Sequence, residues 1–315
     1  MIMLASPAAL RRQGIMGMNE RNVGYIGKYN PRQFYPLVDN KLETKRAARE
    51  RGLPVPELYG VVKYQHEVKH VTNRLQDFES FVIKPAQGSG GKGILVVVGR
   101  AGDRYIKSSG QEITASEVRR HVSNVLAGLH SLGGRNDVAM IEALIDFDPA
   151  LAKYSYEGVP DIRVIAFKGV PVMAMMRCAT HDSDGKANLH QGAVGVGLDI
   201  QSGCAVRAVQ HGQLVELHPD TGAVFSTLAI PHWVRVLDMA ASCVEMTGLQ
   251  YIGADVVLDR VNGPMLLELN ARPGLAIQVA NQAGLRQRLA IAAEIAQQTD
   301  DHDTRIAMAR ERFGA

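Results

Sequence analysis

A glycine-rich loop that follows a lysine is the first segment with a pattern suited to chemistry. Lys84 follows the apolar residues Val82 and Ile83, and four glycines and a second lysine come within the next nine residues. Glycine lets the backbone approach a ligand closely and turn several N–H groups toward one anion. The pattern therefore predicts a phosphate-binding loop with Lys84 as an added charge, formed by Gly88, Ser89, Gly90, Gly91, Lys92 and Gly93.

Two common phosphate-binding motifs do not fit this loop. Gly88, Gly90 and Gly93 match G-x-G-x-x-G, but a dinucleotide-binding loop must open a helix, whereas residues 94–98 predict a strand. A Walker loop requires Ser or Thr after its lysine, where Gly93 stands. Two interpretations stay open: a strand–loop–strand cover over nucleotide phosphates, and a flexible surface hairpin.

Two carboxylates and one amide lie in predicted strands near the C-terminal end. Glu268 and Asn270 alternate with leucines in PMLLELN, so they share one face of that strand. Asp255 lies among apolar residues in the preceding strand, where a carboxylate is costly unless it is paired or binds a metal. Hard oxygen ligands suit Mg²⁺, so these residues predict a magnesium site, with a structural hydrogen-bond network as the alternative.

Arginines form a third group of candidates. Arg163 and Arg177 lie at polar positions of predicted strands, and Arg272 follows Asn270 in the turn Ala-Arg-Pro-Gly. A guanidinium fork can hold the charge that develops on a transferring phosphoryl group, or it can hold a carboxylate. Plain salt bridges are the alternative interpretation of Arg163 and Arg177.

The polar segment NLHQG adds two further candidates. Asn188 is a candidate for the metal or phosphate shell, because its amide offers a hard oxygen. His190 is a candidate for proton transfer, and a plain surface histidine is the alternative.

Helices and strands in mixed order must position these residues. Residues 1–38 predict an irregular arm, and Asn40 with Glu43 predicts the capping box of a helix that follows it. Strands are predicted around the glycine-rich loop, in a hairpin over residues 161–178, and in the two segments that carry Asp255 and Glu268. The mixture predicts an α+β fold, with further helices at 114–132, 232–247 and 276–299 and a peripheral tail at 300–315.

Composition narrows the functional class. The 315 residues are 46% hydrophobic and 21% charged, which is ordinary for globular proteins, and the net charge of +3 is too small to indicate nucleic acid. The three cysteines lack the spacing of disulfides or zinc sites and predict buried free thiols in a reducing compartment. No apolar run approaches the roughly 20 residues that span a bilayer. We therefore expect a cytoplasmic protein without a membrane span.

These motifs, in their order along the chain, resemble the ATP-grasp superfamily. Within it they are most similar to the RimK-type branch, and closest to the alpha-L-glutamate ligase-like proteins. The resemblance covers roughly residues 39–280 and rests most on VIKPAQGSGGKGI and LLELNARPGL, with NLHQG as the signal for the branch. The matching segments are DNKLETK, VIKPAQGSGGKGI, VAMIEALI, DIRVIAFKG, NLHQG, GADVVLD and LLELNARPGL.

The resemblance implies a role for each group of residues. Lys41 and Lys84 would contact the phosphates of ATP, with the 88–93 loop folding over them. Asp255, Glu268 and Asn270 would hold Mg²⁺, for which Mn²⁺ is a possible substitute. The γ-phosphate and the substrate carboxylate would face Arg163, Arg177 and Arg272, and the adenine hinge would comprise Glu142, Ala143, Leu144 and Ile145, with Glu142 facing the exocyclic amine.

The sequence departs from the resemblance in two places. About 40 residues precede Lys41, too few for the α/β domain that such ligases usually carry there. Gln191 stands in NLHQG where glutamate ligases carry arginine, which weakens the case for glutamate as the added amino acid. We expect two α+β ATP-grasp lobes that clamp ATP, divided into an arm and helix at 1–52, a small lobe at 53–140, a large lobe at 141–299 and a tail at 300–315.

The expected activity is ATP-dependent joining of a carboxylate to an amine through an acyl phosphate, with glutamate or a similar amino acid as the candidate for the group that is added. Two other activities stay open, a kinase on the same fold and a non-catalytic nucleotide-binding regulator. The carboxylate donor and the amine acceptor have no predicted identity, and a protein partner could supply the missing domain.

Overall fold

The computed structural model describes residues 6–88 and 90–314, and the predicted loop residue Ser89 lies outside them. The chain forms two compact units. The small unit comprises residues 40–45 and 55–146, and the large unit comprises residues 1–39, 46–54 and 147–315. Each unit contains one antiparallel sheet together with helices, which confirms the predicted α+β fold class.

The strands of the small unit form a six-stranded sheet in the order β1-β6-β2-β3-β4-β5. The strands of the large unit form a seven-stranded sheet in the order β11-β10-β9-β8-β7-β12-β13. Their bounds are β1 Leu58–Val62, β2 Phe81–Pro85, β3 Leu95–Ala101, β4 Arg104–Lys107, β5 Glu112–Ile113, β6 Ala139–Glu142, β7 Asp161–Phe167, β8 Val170–Cys178, β9 Val194–Leu198, β10 Ala205–Gln210, β11 Gln213–Leu214, β12 Tyr251–Asp259 and β13 Gly263–Asn270.

The helices of the described chain vary from single turns to four turns. Short 3₁₀ or π segments occur at Arg21–Ile26, Arg32–Phe34, Gln65–His70, Leu132–Gly134, Leu189–Gln191 and Phe225–Thr227. The α-helices are α1 Pro7–Arg12, α2 Met18–Glu20, α3 Gly27–Tyr29, α4 Pro36–Asp39, α5 Lys41–Glu50, α6 Val71–Arg74, α7 Ala115–Leu126, α8 Pro149–Ala152, α9 Trp233–Thr247, α10 Ile277–Asn281, α11 Leu285–Gln298 and α12 His302–Phe313. None of the described helices is long and apolar enough to cross a membrane.

The small unit has its own hydrophobic core, in which α7 packs against the sheet. A capping box begins this helix, because the Thr114 side chain accepts from the Glu117 N–H and Glu117 accepts in return. Val118, Val122 and Val125 are buried, as their helical spacing predicts. The predicted end of this helix at residue 132 is wrong, since the helix ends at Leu126 and the side chain of Leu129 is exposed.

The core of the large unit lies around the long central strands β7, β8 and β12. Helices α9, α11 and α12 pack on these strands, and α10 packs on β8, β9 and β10. Both faces of these strands are buried and mostly apolar, with Val164 and Val256 among the fully buried residues, and the charged residues Asp161, Arg163 and Asp255 interrupt one face. The free thiols of Cys178 and Cys243 are buried as expected, whereas Cys204 is exposed.

The arm is more ordered than its glycines and prolines indicate. Residues 7–39 contain four short α-helices and a π-helical turn instead of irregular chain. Long-range hydrogen bonds hold them, because Asn30 donates to the carbonyl of Tyr251 and Arg21 donates to that of Pro273. Contacts of this kind lie far apart in sequence, so local breaker residues could not reveal them.

The terminal helix and the tail also differ from the prediction. Gln282 has φ of 47°, which ends α10, and the chain restarts as α11 after Gly284. A side chain at Gly284 would come within 2.1 Å of Gly14, so glycine is required there. The tail forms α12, which the side chain of Asp301 caps and whose residues Ile306, Ala309 and Phe313 are buried.

Candidate functional site

Two lysines share one carboxylate inside the small unit. Lys84 on β2 lies 2.5 Å from Oε2 of Glu142 on β6, and Lys45 on α5 lies 2.6 Å from Oε1 of the same residue. Lys45 also donates to the carbonyl of Pro56. The exposed fractions are 7% for Lys84, 6% for Lys45 and 2% for Glu142, so three charges with a sum of +1 are buried together. We call these three residues the lysine cluster.

The two ammonium groups keep this buried carboxylate ionised. Burial raises the pKa of Glu142, but the charges of Lys84 and Lys45 outweigh burial and hold that pKa below its ordinary value. A carboxylate so buried would otherwise favour its neutral form. The cluster is therefore a buried, positively charged site between helix α5 and the sheet of the small unit.

Asp137, which the sequence analysis did not single out, anchors the first end of the glycine-rich loop. Its buried carboxylate accepts from the N–H groups of Gln87 and Val138 and from the hydroxyl of Ser131. Ser131 and Gly88 in turn form an isolated β-bridge. The carboxylate of Asp137 therefore ties the start of the loop at Gln87 to Ser131 and to the N-terminal side of β6.

A lysine and two histidines lie against the same loop. Lys41 Nζ donates to the carbonyl of Gly88 at 2.6 Å, which brings the predicted lysine to the predicted loop. His121 Nε2 lies 3.1 Å from the carbonyl of Gly93, and a side chain at Gly93 would come within 2.4 Å of His130. Burial lowers the pKa of His121, so its imidazole is neutral near pH 7. Both described ends of the loop are thus held.

The middle of the loop has the backbone freedom that the sequence predicted. Gly90 and Gly91 have φ of 64° and 74° and are exposed, with open space where a side chain would stand. Lys92 is exposed as well. These residues can turn backbone N–H groups toward an anion, because positive φ is accessible to glycine without strain.

The predicted adenine hinge follows β6 directly. Glu142 ends the strand, and its carboxylate contacts the two lysines in this structure, whereas the resemblance implied that it faces an adenine amine. The N–H of Ala143 donates to the carbonyl of Glu57. Leu144 and Ile145 are half-buried in irregular backbone, where backbone groups can contact a flat ring.

Two arginines and two aspartates form a second buried cluster, in the large unit. Arg163 donates to both oxygens of Asp255, at 2.7 and 2.6 Å, and Arg177 Nη2 lies 2.8 Å from Asp255 Oδ2. Arg177 also donates to both oxygens of Asp161. Register explains this arrangement, because Asp255 is paired with Arg163 across β12 and β7, and Asp161 with Arg177 across β7 and β8. We call these four residues the arginine cluster.

The number of arginine partners separates the two buried aspartates of this cluster in pKa. Burial raises the pKa of Asp161 to about 6, although Arg177 opposes it. Burial also acts on Asp255, but Arg163 and Arg177 outweigh it and lower the pKa of that carboxyl. The two carboxylates together raise the pKa of Arg177 above its ordinary range despite burial. Asp255 is therefore the more firmly ionised of the two.

Glu268 and Asn270 lie on the strand beside Asp255. Glu268 is paired with Asp255 across β13 and β12, and the amide of Asn270 lies 3.3 Å from Asp255 Oδ2. Among the described residues, Oδ2 of Asp255 accepts three hydrogen bonds and Oδ1 accepts one, from Arg163. The three residues offer carboxylate and amide oxygens on one strand pair, so their donor set fits Mg²⁺.

Three predicted residues have other surroundings. Arg272 is exposed, and its guanidinium lies 5.3 Å from the ring centre of Tyr35. The side chain of Asn188 accepts from the N–H of His190 and so caps the short turn 189–191. His190 is exposed. The predicted ligand-binding roles of these three residues stay predictions. The Asn188 side chain caps a turn, and Arg272 and His190 are exposed to solvent.

A family model described as sugar-transfer associated ATP-grasp matches residues 20–294. The chain therefore belongs to the sugar-transfer associated ATP-grasp family, and the superfamily expected from its motifs is confirmed. No match was found among curated proteins.

Several solved structures are similar at low identity. They include the ATP-grasp ligase PsnB with its minimal precursor, at 15% identity and TM-score 0.45, which covers 86% of this chain and 63% of that one. D-cycloserine synthetase DcsG has 17% identity and TM-score 0.48, covering 85% and 72%. A RimK domain protein from Sphaerobacter thermophilus has 14% identity and TM-score 0.43, covering 84% and 70%. The chain thus spans less than two thirds of the length of PsnB.

Proposed function

We propose that this protein is an ATP-dependent ligase that joins a carboxylate to an amine through an acyl phosphate. The observation that carries the proposal is the group Asp255, Glu268 and Asn270, which lies beside Arg163 and Arg177 on neighbouring strands. Membership of the ATP-grasp family supports it, because nucleotide use is expected of that fold.

The small unit supplies the groups for nucleotide binding. The lysine cluster has a net positive charge away from water. It therefore attracts an anion more strongly than a single, electrically neutral ion pair would. Lys41 and the glycine-rich loop add a cation and backbone donors. The proposal assigns the phosphates of ATP to Lys41, Lys84 and this loop, and the adenine ring to the backbone groups of residues 142–145, because the Glu142 carboxylate is already engaged by the two lysines.

The large unit supplies the groups for the metal and the transferring phosphoryl group. Asp255, Glu268 and Asn270 would hold Mg²⁺, which would neutralise phosphate charge when bound, and Mn²⁺ has the same ligand preference. Arg163 and Arg177 are oriented by Asp255 and Asp161 before any substrate arrives. Donors held in advance stabilise developing charge without reorganising.

The proposed reaction has two steps. A carboxylate oxygen of the donor bonds to the γ-phosphorus as the bond to the β,γ-bridging oxygen breaks, which gives an acyl phosphate and ADP. The amine then bonds to the acyl carbon, phosphate leaves with the C–O bond electrons, and the amine nitrogen loses a proton. The protein's own contribution is positioning and charge stabilisation, by the arginines and lysines named above.

The substrates are proposed at the level of class. Glutamate or a similar amino acid is proposed because of the RimK-type motifs, and saccharide acids or amino sugars are added because the family description names sugar transfer. The solved structures of PsnB contain a precursor peptide, so a peptide or protein acceptor also belongs in the test. We propose a cytoplasmic location, where ATP is available.

The test is ADP release with Mg²⁺–ATP across amino acids, short acidic peptides, saccharide acids and amino sugars. We expect turnover that requires both a carboxylate and an amine, and a fall of about 100-fold or more in Glu268→Ala. Glu311→Ala, an exposed glutamate of α12, is the matched control and should keep full activity.

The same assay distinguishes other activities. ADP release with a hydroxylated acceptor and no amide product would replace the ligase by a kinase. Tight ATP binding without turnover on every pair would replace it by a nucleotide-binding regulator.

A further inference from the structure

The lysine of α5 that contacts Glu142 has no assigned role in the proposed reaction. Lys41 and Lys45 are one helical turn apart, so α5 presents both on one face. Lys41 reaches the glycine-rich loop, whereas Lys45 reaches the carboxylate that Lys84 also contacts. The spacing of the two lysines could have identified Lys45 from sequence, but its partner Glu142 lies about a hundred residues away.

Charge counting shows what Lys45 adds. A buried Lys84 paired only with Glu142 would be an ion pair with no net charge, and such a site gains little from an incoming anion. Lys45 raises the summed charge of the three residues to +1. Because the cluster is almost completely buried, water screens that extra charge weakly.

Lys45 also reduces the competition between Glu142 and an incoming phosphate for the ammonium group of Lys84. A lysine ammonium has three donors, and a buried carboxylate left with one cation would hold that cation firmly. In this structure each oxygen of Glu142 has its own lysine, Oε1 with Lys45 and Oε2 with Lys84. When Lys84 turns toward a phosphate, Glu142 keeps Lys45 and is not left as an unpaired buried charge.

We propose that Lys45 is a positioning residue for nucleotide binding, which holds Glu142 so that Lys84 is available to a phosphate group. The inference rests on the proposed nucleotide site of the small unit and adds a residue that acts through Glu142. Lys45 itself does not touch the nucleotide in this proposal.

The test is a charge series measured on the full-length protein with Mg²⁺–ATP by calorimetry. Wild type has a cluster charge of +1, Lys45→Met has zero, and Lys45→Met with Glu142→Gln returns to +1. We expect Lys45→Met to weaken ATP binding about 30-fold, because Lys84 is then mostly committed to Glu142. The double variant should recover to within about fivefold of wild type, and Lys45→Arg should bind ATP nearly as wild type does.

Controls separate positioning from folding. Lys69→Met removes an exposed lysine of the same unit and should not change the affinity. Lys45→Met takes the donor from the Pro56 carbonyl and one cation from Glu142, so its free energy of unfolding should fall by about 1–3 kcal/mol, and urea unfolding identifies the conditions under which the variant is fully folded for the affinity measurement. Once substrates are known, the variant should raise KM for ATP and leave kcat at saturating ATP almost unchanged.

Each result decides between the two proposals. Unchanged ATP affinity in Lys45→Met overturns the inference while the nucleotide site stands. A double variant as weak as Lys45→Met also overturns it, because Lys45 would then act directly on the ligand. No ATP binding by wild type overturns the nucleotide site itself.

Discussion

The lysine cluster of the small unit and the arginine cluster of the large unit are both largely removed from water, but they balance charge differently. Two cations share one carboxylate in the first, whereas two cations share two carboxylates in the second, with Glu268 on the adjoining strand. The lysine cluster therefore sums to +1, whereas the arginine cluster together with Glu268 sums to −1. The lysine cluster is therefore suited to bind an anion, and the arginine cluster with Glu268 is suited to bind a cation.

The type of cation differs in the same way. The guanidinium groups of Arg163 and Arg177 bind carboxylates through two hydrogen bonds each, which fixes their planes. A lysine ammonium is a point charge on a flexible stem, and it can exchange partners without losing a forked geometry. The arginine cluster is therefore suited to a rigid arrangement of side chains, whereas the lysines of the lysine cluster can exchange one hydrogen-bond partner for another.

Removing Asp255 should have the largest effect on stability. Asp255→Ala leaves Arg163 without the carboxylate that holds both of its donors, and an uncompensated buried charge costs about 3–5 kcal/mol. Urea unfolding measures the change. Glu294→Ala removes an exposed carboxylate 3.9 Å from Arg312 and should change the free energy of unfolding by less than about 0.5 kcal/mol. Equal losses in both variants would contradict the importance of burial.

Asp161 should make the stability depend on pH. Its pKa rises from 3.8 to about 6 on folding, so the folded state binds the proton more tightly and wild type loses stability as pH rises from 4 to 6. Asp161→Asn has no proton to lose there. The free energy of unfolding of the variant, relative to wild type, should increase across this range by about 3 kcal/mol. Parallel pH curves would show that Arg177 cancels the effect of burial.

Replacing the guanidinium of Arg177 by a lysine ammonium should have a smaller effect on the free energy of unfolding. Arg177→Lys keeps the charge but cannot donate from Nε and Nη2 to Asp161 while also reaching Asp255. We expect a loss of about 1–2 kcal/mol in the free energy of unfolding, since some buried acceptors lose their donors. Lys45→Arg in the small unit is the matching exchange. A larger loss there than at Arg177 would contradict the contrast between rigid and exchangeable cations.

Removing a carboxylate from a partly exposed arginine–carboxylate pair should have the smallest effect on the free energy of unfolding. Arg286 donates to both oxygens of Glu20 with the same geometry as Arg163 with Asp255, but both side chains are 34% exposed. Glu20→Ala should therefore cost no more than about 1 kcal/mol, and added salt should reduce that cost. A cost near that of Asp255→Ala would mean that geometry, rather than burial, sets the strength of these pairs.

The sequence predicted the charged residues of the strands better than their partners. Alternation placed Glu268 and Asn270 on one face, and the structure brings both to Asp255. The joint use of Asp255 by Arg163 and Arg177 depends on the register of three strands, which local patterns do not give. Lys45 was not predicted for a similar reason, because the sequence of helix α5 does not show that this lysine contacts Glu142, which is distant in the chain.

Segments governed by distant contacts were the least predictable. The arm was expected to be irregular, yet hydrogen bonds from Asn30 and Arg21 to residues more than two hundred positions away hold its turns. Asp137 gave no signal in the sequence, since a lone aspartate after Asn136 is typical of a turn. Its importance to the glycine-rich loop appears only when Gln87 and Ser131 are found beside it.

The pairing of β12 with β13 has a β-bulge, and this bulge bears on how the family's sequences should be aligned. Asp255 is paired with Glu268 but Val256 with Leu266, which leaves Leu267 as the extra residue. A relative without the bulge would lack one residue here and still keep Glu-x-Asn opposite its aspartate. A one-residue gap just before the glutamate is therefore compatible with an unchanged site, whereas a gap between Glu268 and Asn270 would turn one ligand to the opposite face.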